Sequence, residues 1–432
     1  GDGTDHRYGI RLTAMKPFGD IRYTFMGNAN NVNDRNFSGR GGRGRGNGQG
    51  QRETKTGALD ISYEKQNKLK LSGRVTWNHN DADNWSRTGS ESFVTTRGGA
   101  FSNSISQSYS RGNSWTGNMN LQWTINPMTT LSFRPDISFS TNDSRSFSNS
   151  ASFNRNPFDY VLDPLSDEGL AILNKDSLVV NSRQNKSLSY GENKNVNAQL
   201  QLYRRLGTNG RNIALSANFS YRDGNNKNAS LSAVHLYQQK SILGGDSTYQ
   251  TNRYTLSAND NISYSLGFTY TEPILTFKPK EVEETTTNGQ RQRGPFGRNQ
   301  PRGFGQMGLF LQLNYRYNYS YQKNDPATYD FPNYSDAAFA EAINGYRDWA
   351  ALFGNLDNPY ESYLSDSLSR YSERTEHNHT IEVQLRYVRE KINMNAGISI
   401  LPERSHFIQQ YLGRPIEDRK SGSAGMPRPI SY

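Results

Sequence analysis

Residues 69–77 read Leu69-Lys70-Leu71-Ser72-Gly73-Arg74-Val75-Thr76-Trp77, an alternation of mostly apolar and polar side chains. Since side chains on a β-strand alternate between its two faces, this segment predicts a strand with one apolar and one charged face. The same alternation recurs at 115–125 and 213–221. About ten such residues cross a bilayer when the strand is tilted. The pattern therefore predicts strands of a transmembrane β-barrel.

The predicted strands come in pairs with short connections. Reversals are expected at Pro17–Asp20, Lys65–Lys68, Asn126–Pro127, Gly207–Gly210 and Arg389–Lys391, where turn-forming residue types cluster. Long polar stretches separate the pairs at 28–56, 78–113, 140–193, 222–253 and 322–374. In outer-membrane barrels the short turns face the periplasm and the long loops face outward. The rhythm thus predicts an orientation as well as a fold.

Composition agrees with this class. The 432-residue chain is 33% hydrophobic with a mean hydropathy of −0.88, and it contains no run approaching the roughly 20 apolar residues of a spanning helix. A barrel needs only every second strand residue to be apolar, so low hydropathy is expected. The 12% aromatic content argues against a disordered chain. The absence of cysteine excludes disulfides and thiolate metal sites.

One pattern runs from end to end, so residues 1–432 are interpreted as a single domain. We expect all-β architecture: about twelve antiparallel strands of an incomplete barrel that, complete, has about 22 strands. The start at Gly1 carries no initiator Met or signal segment, and the end is polar, which favours an interior piece of a longer polypeptide. The plug domain and the closing strands of such a barrel would then be absent.

Two segments depart from the strand pattern. Residues 278–306 carry a block of charges among Gly and Pro, which predicts a flexible insertion on the periplasmic side. Residues 334–355 carry apolar side chains at helical spacing, which predicts a helix in an extracellular loop, and a smaller helix is expected at 166–173. Pro135 predicts a β-bulge. Asp260 is expected to lie beyond the lipid, because charge at mid-bilayer is costly.

Aromatic residues concentrate where the strands would leave the lipid, and rings with a polar edge favour that level. The predicted interface set is Trp77, Trp115, Phe139, Tyr221, Tyr254, Tyr317, Tyr319 and Tyr321. Polar residues in the opposite phase are predicted to line the lumen or contact a plug. That set is Asp60, Arg74, Arg134, Asn197, Gln199, Gln312 and Arg316.

Three other segments carry residues of possible chemical interest, and each also fits a plain loop or strand end. The segment Gly39–Gly46 is rich in Arg and Gly, and with a net charge of +10 it leaves RNA binding as a remote alternative, although no RNA-recognition motif accompanies it. His377 and His379 point the same way on a strand but lack a third metal ligand at a suitable spacing. The cluster Asp81–Asn84 lacks the glycine and distal Glu of a calcium loop.

Catalytic signatures are equally weak. The sequence contains no nucleophile elbow, zinc motif or phosphate-binding loop, and the spacing of His6, His79, His235 and His406 favours no Ser/His hydrolase. We therefore expect no enzymatic activity, no cofactor and no metal. An outer-membrane hydrolase and a passive porin stay open as alternatives to a receptor.

The stretches 264–273 and 310–320 resemble the outer-membrane β-barrel family common in Bacteroidetes, which is related to TonB-dependent receptors. The resemblance implies a protein of the bacterial outer membrane whose barrel holds an N-terminal plug. It also implies uptake of a scarce external solute with energy relayed by the TonB system. The partners it implies are outer-membrane lipid, the protein's own plug, TonB, an unknown solute and a surface lipoprotein, with no nucleic acid.

Overall fold

The computed structural model describes residues 8–31, 50–65, 68–92, 100–207, 210–240, 246–277, 307–331, 353–354, 356–389, 392–411, 414–422 and 428–431. The strands in these residues are β1 (Gly9–Phe18), β2 (Ile21–Asn30), β3 (Gly50–Lys65), β4 (Leu69–Glu91), β5 (Phe101–Asn126), β6 (Thr129–Phe153), β7 (Val179–Arg205), β8 (Asn212–Lys240), β9 (Asp246–Phe277), β10 (Met307–Asp330), β11 (Tyr371–Arg389), β12 (Ile392–Ile400), β13 (Glu403–Tyr411), β14 (Arg414–Gly422) and β15 (Arg428–Ser431). The helices are α1 (Asp167–Lys175) and two 3₁₀ turns, Pro157–Asp159 and Tyr360–Tyr363.

All the strands belong to one antiparallel sheet, so the all-β prediction is confirmed. Thirteen strands follow one path in which β1 to β12 pair in sequence order and β15 follows β12. The hairpin β13–β14 pairs with β11 at Tyr371–Asn378, beyond the reach of β12. Within the described residues, β1 and β15 end the path without pairing to each other, so this sheet is not closed.

No helix in the described part of the chain is both long enough and apolar enough to cross a membrane.

The short reversals lie where they were predicted. Strands β1 and β2 are joined by Gly19 and Asp20 alone, and Gly19 has a φ of 58°, which glycine adopts without steric cost. Strands β7 and β8 are joined across Gly207 and Gly210, whose φ values are 95° and 91°. These turns lie at the same end of the sheet, called here the turn end; the opposite end is the far end.

The prediction of long polar loops between the pairs is corrected, because most of the residues that the structure describes in these stretches are strand. The strands β4 to β9 run for 23 to 32 residues each and continue well past the apolar alternation. Ser and Asn have weak β preference, so the local sequence of these stretches favours loops. Cross-strand hydrogen bonds hold them in the sheet, such as Ser86–Ser106 at 2.7 Å and Ser146–Ser187 at 2.7 Å.

The bulge predicted at Pro135 is absent. Pro135 lies opposite Ala198 of β7 without a register shift, and the register with β5 is the same before and after it. The pairing of β5 with β6 is interrupted between Asn118 and Leu121. A proline that cannot donate its ladder hydrogen bond is thus accommodated by a local gap in one ladder.

The helix predicted at 166–173 is confirmed as α1. Ser166 caps it, since its Oγ accepts a hydrogen bond from the Gly169 amide at 3.0 Å. The predicted insertion at 278–306 lies outside the described residues. So does the predicted helix at 334–355, except for residues 353–354, which are helical. The Arg/Gly segment 39–46 also lies outside them.

Two buried clusters hold connecting segments against the far end of the sheet. One comprises Ala229, Leu231, Tyr254, Tyr329 and Phe331, with Phe353, Leu356, Tyr360 and Tyr363 packed on it. The other comprises Ala151, Phe153, Leu165, Leu173, Leu178 and Val179. The second cluster buries α1 and its flanking residues against β6 and β7, so the connection after β6 is an ordered part of the fold.

Candidate functional site

The register gives the sheet one polar face. Residues directly opposite each other in antiparallel strands point to the same side. From β2 to β11, one such row is Thr24, Asp60, Arg74, Asn118, Asp136, Asn197, Ser220, Ser263, Ser320 and Glu376. Every member is polar, and we call this side of the sheet the polar face.

The neighbouring row, one residue along each strand, points to the other side. It reads Phe25, Leu59, Val75, Gly117, Ile137, Val196, Tyr221, Ile262, Tyr321 and Thr375. Three further rows of the same side follow toward the turn end: from Tyr23 on β2 to His377 on β11, from Ile21 on β2 to His379 on β11, and from Leu69 on β4 to Ile381 on β11. The four rows form a continuous surface, called here the apolar band. Exposure is high: 41% for Leu59, 49% for Val75 and 54% for Ile137. Soluble monomers rarely leave contiguous apolar surface of this extent uncovered.

A charged border ends the apolar band toward the far end. Its first row holds Lys194, Asp223, Asp260, Lys323 and Glu373 on β7 to β11. Asp260 therefore occupies the first row beyond the band, facing Lys323 across the strand pair. The Lys194 Nζ lies 3.4 Å from Asp223 Oδ2, so part of this border is paired.

On β3 the same border is formed by Glu53 and Lys55. The Lys55 Nζ lies 2.6 Å from Glu53 Oε1, and the Tyr8 hydroxyl donates to the same oxygen at 2.6 Å. These two hydrogen bonds, with that from Lys55 the stronger influence, hold the pKa of Glu53 below its ordinary value. Through this trio, Tyr8, which immediately precedes β1, is bound to β3, and β2 lies between the two strands.

A second charged border ends the band toward the turn end. It contains Lys65 on β3, Arg204 on β7, Arg211 before β8, Glu272 on β9 and Arg389 on β11. Arg211 donates to Glu272 with its Nε at 2.7 Å from Oε2, which fixes the border between β8 and β9.

This lower border slants across the strands. The row that starts at Lys65 runs through eight strand-to-strand steps to Ile381 on β11. The charge on β11 is Arg389, eight residues further toward the turn end. Averaged over the eight steps from β3 to β11, the slip is one residue per strand. With a rise of about 3.3 Å and a spacing of about 4.8 Å, this average tilts the strands by about 35° from the normal to the border.

Three predicted interface aromatics share one row. Trp77, Trp115 and Phe139 lie opposite one another on β4, β5 and β6, and the rings of Trp77 and Trp115 are 6.1 Å apart. Tyr221 and Tyr321 lie together one row closer to the turn end. The structure thus brings these five side chains to the far-end edge of the apolar band.

Tyr317 and Tyr319 lie deeper in the band, beside two histidines. The Tyr317 hydroxyl lies 2.8 Å from His377 Nδ1, and the Tyr315 hydroxyl lies 3.0 Å from His379 Nδ1. Over the described residues, no group of three or more His, Asp or Glu side chains is placed to hold a metal ion. The two imidazoles are engaged with tyrosine hydroxyls on an otherwise apolar surface.

Tyr254 is not part of this aromatic edge. It lies eight residues beyond Ile262 on β9, is 3% exposed, and packs against Tyr329, Phe353 and Tyr360. Burial raises its pKa strongly. The segment that covers it is distant in sequence, so strand periodicity carried no signal for this contact.

All seven side chains predicted to line the lumen lie on the polar face. Asp60 and Arg74 form an ion pair with Arg74 Nε 2.8 Å from Asp60 Oδ1. Asn197 accepts from the Ser220 hydroxyl at 2.8 Å, and Arg134 Nε donates to Asn120 at 3.2 Å. Gln199 lies opposite Arg134, Gln312 opposite Gln384, and Arg316 opposite Thr380. They are dispersed over five strands and form a surface, not a compact site.

Sequence interpretation missed the extension of this face toward the far end. There the polar positions are mostly Ser and Asn, as in Ser102, Ser104, Ser106, Ser108 and Ser110 on β5. Strict alternation of serine over nine residues was the available signal. Periodicity among apolar residues, the usual signal of a strand, does not reveal it.

Comparison with known proteins assigns this chain to no family. A scan against protein-family models finds no match, and a search of curated proteins finds no significant relative.

Proposed function

We propose that the apolar band faces the hydrocarbon of a bilayer and that the sheet is part of a transmembrane β-barrel in the bacterial outer membrane. One observation carries the proposal: an exposed apolar surface that extends across the strands between two charged borders, with the lower border slanted by an average of one residue per strand between β3 and β11. Strands of membrane barrels are tilted by about 35–45°. The level at which a membrane surface meets such strands therefore shifts by about one residue from each strand to the next.

The polar face would then line the water-filled interior. Asp60, Arg74 and Arg134 are half-exposed charged groups on that face, which water in a lumen would stabilise. We propose that the protein binds an external solute and passes it across the outer membrane. Energy coupling through a plug and TonB is proposed from the resemblance of residues 264–273 and 310–320 to receptors of that class.

Fractionation of native membranes tests the location. The protein should sediment with outer membranes, stay there after alkaline carbonate washing, and shift its gel mobility when heated in detergent. Recovery of folded protein in detergent-free buffer would contradict the proposal, because the band would then be covered by something other than lipid. Retention on RNA that weakens steeply with salt would instead favour the Arg/Gly alternative.

Solute passage has its own test. Proteoliposomes carrying the protein should release small neutral sugars faster than empty liposomes. Substituting His residues, or Ser residues that lie off the polar face, one at a time should leave that rate unchanged. Turnover of an ester or peptide that is lost with a single Ser or His would favour the hydrolase alternative.

A further inference from the structure

Four basic side chains interrupt the apolar band where β11 pairs with β13. On β11 they are His377 and His379, which lie on the side of the sheet that carries the band. On β13 they are Arg404, directly opposite His377, and His406, directly opposite Thr375. Since opposite residues of an antiparallel pair point to the same side, these four side chains share one surface, called here the basic patch.

The basic patch lies at the level of the far-end border, because the borders cross the rows at a slant. On β3, ten residues separate Lys55 at the far-end border from Lys65 at the turn-end border. On β11, ten residues counted from Arg389 at the turn-end border reach His379. The row of Arg404 is the next one toward the far end. The patch thus lies at the level where lipid head groups would contact the wall.

Charges of opposite sign are sorted between the two sides of the sheet around the patch. Three carboxylates of β11 and β13 lie on the polar face: Glu376, Glu382 and Glu403. On the side of the patch, Glu373 lies two rows from Arg404 and accepts a hydrogen bond from the Tyr371 hydroxyl at 2.7 Å. None of the described residues in the three rows of the patch supplies a carboxylate to this side. The patch is therefore a surface that favours an anion.

Arg404 differs from four other cations near the far-end border. Each of those four has a carboxylate oxygen within 4.0 Å: Lys55, Arg111, Lys194 and Lys323. Arg404 is exposed, and in the part of the chain that the structure describes no carboxylate oxygen lies within that distance of its guanidinium. A guanidinium has a planar set of donors that matches a phosphate group. Arg404 is thus available to an external anion of this kind.

Each histidine of β11 is hydrogen-bonded to a tyrosine of β10. The Tyr317 hydroxyl lies 2.8 Å from His377 Nδ1, and the Tyr315 hydroxyl lies 3.0 Å from His379 Nδ1. A phenol is a stronger acid than a neutral imidazole, so the hydroxyl donates to Nδ1 and the ring proton stays on Nε2. The two Nε2–H groups and the guanidinium of Arg404 then form a set of donors, and a phosphate accepts several hydrogen bonds at once.

An exposed apolar surface adjoins the patch on its turn-end side. Ile381 of β11 and Ile400 of β12 lie directly opposite each other in the next row, and Val383 and Ile398 lie opposite each other in the row after it. Their exposed fractions are 45%, 40%, 45% and 58%. A cationic patch followed by an apolar surface is complementary to an anionic amphiphile, whereas a free anion would use the patch alone.

We propose that the basic patch binds the phosphate group of lipid A, the membrane anchor of lipopolysaccharide, from the outer leaflet of the outer membrane. The acyl chains of that lipid lie along the isoleucines and valine below the patch. The inference rests on the proposed function, because it requires the far end of the sheet to lie at the outer surface of the membrane. It adds a bound lipid on the outside of the wall.

Binding of lipid A tests the proposal. The detergent-solubilised protein is titrated with monophosphoryl lipid A and with the same lipid after enzymatic removal of its phosphate. Lipid A should bind, and the phosphate-free lipid should bind at least about tenfold more weakly, because a charge-assisted contact is lost. Arg404→Gln should weaken the binding of lipid A by a similar factor. Inorganic phosphate in large excess should not displace the lipid.

Arg389→Gln is the matched control, since it removes the same charge from the same side of the sheet at the opposite border. It should leave the binding of lipid A unchanged. Equal binding of the phosphate-free lipid, or an equal loss in Arg389→Gln, would overturn the proposal. Displacement by inorganic phosphate would also overturn it and indicate a site for the free ion. A dimer that dissociates in Arg404→Gln would instead place a second copy of the chain on the patch.

Outer-membrane fractionation is measured on the same variants. Normal fractionation together with absent lipid A binding rejects the basic patch as a lipid site and leaves the proposed function standing. Recovery of the folded parent protein without detergent rejects the proposed function itself. The two failures are therefore distinguishable.

Discussion

Asp60 on β3 and Arg74 on β4 lie directly opposite each other, and Arg74 holds both carboxylate oxygens of Asp60, with Nε–Oδ1 at 2.8 Å and a terminal nitrogen at 3.1 Å from Oδ2. The side chains are 33% and 45% exposed. A two-point ion pair on the polar face fixes the register of β3 and β4 while remaining in contact with solvent.

A double-mutant cycle of Asp60→Ala and Arg74→Ala should return a coupling energy below about 1 kcal/mol, because water screens an exposed pair. The free energy of unfolding is measured by urea titration in lipid vesicles. The exchanged pair, Asp60→Arg with Arg74→Asp, should recover nearly all of the stability. A coupling of several kcal/mol would contradict an aqueous interior at this level.

The two faces of β4 should respond oppositely to the same substitution. Leu71→Arg places a cation in the apolar band and should lower the free energy of unfolding in lipid by about 2–4 kcal/mol. Ser72→Arg, one residue along and on the polar face, should change it by less than about 0.5 kcal/mol. The comparison is made by urea titration in the same vesicles. Equal losses in both variants would place the two side chains in the same environment.

Stability should depend on Glu53 in a defined pH range. Its pKa is lowered by hydrogen bonds from Lys55 and Tyr8, so its contribution is complete above the ordinary value of 4.5 and is lost as the pH falls through the lowered value. The difference in unfolding free energy between the parent protein and Glu53→Gln should therefore be constant near pH 7 and shrink below about pH 4.5. A difference that is unchanged down to pH 3 would contradict the contact.

Tyr254 should anchor the segment 356–370 to the far end of the sheet. Tyr254→Ala removes a ring 4.9 Å from Phe353 and 5.8 Å from Tyr360, and a large-to-small change in such a cluster costs about 3–5 kcal/mol. Proteolysis and hydrogen exchange of 356–370 should accelerate while the sheet stays protected. Tyr249→Ala, at an exposed tyrosine on the same strand and facing the other side, is the control. Equal sensitivity in both variants would argue against the anchor.

The strand faces could be predicted because a period of two assigns every residue of a strand to a side. In Leu69–Trp77 the apolar phase is set by large side chains, and a shift by one residue would invert the whole strand. The reversals could be predicted as well, since Gly19 and Gly207 occupy conformations that favour glycine. These parts of the fold depend on local residue types alone.

The rest of the fold depends on tertiary contacts that no local sequence pattern indicates. The stretch from Ser102 to Ser114 forms a strand because β4 and β6 pair with it on both sides, which overrides its weak β preference. The slant of the lower border from Lys65 to Arg389 requires the register of eight strand pairs. Tyr254 is buried by residues about a hundred positions away in the sequence. Each of these is a tertiary property.

A spin label placed at each position from 115 to 125 of the protein in lipid vesicles tests the central claim most directly. The account predicts a two-residue periodicity, in which labels at odd positions from Trp115 to Ile125 are relaxed by oxygen dissolved in the bilayer. Labels at the even positions, from Thr116 to Thr124, should be relaxed by a water-soluble nickel complex. Equal access of the nickel complex to both sets would contradict a lipid-facing apolar band.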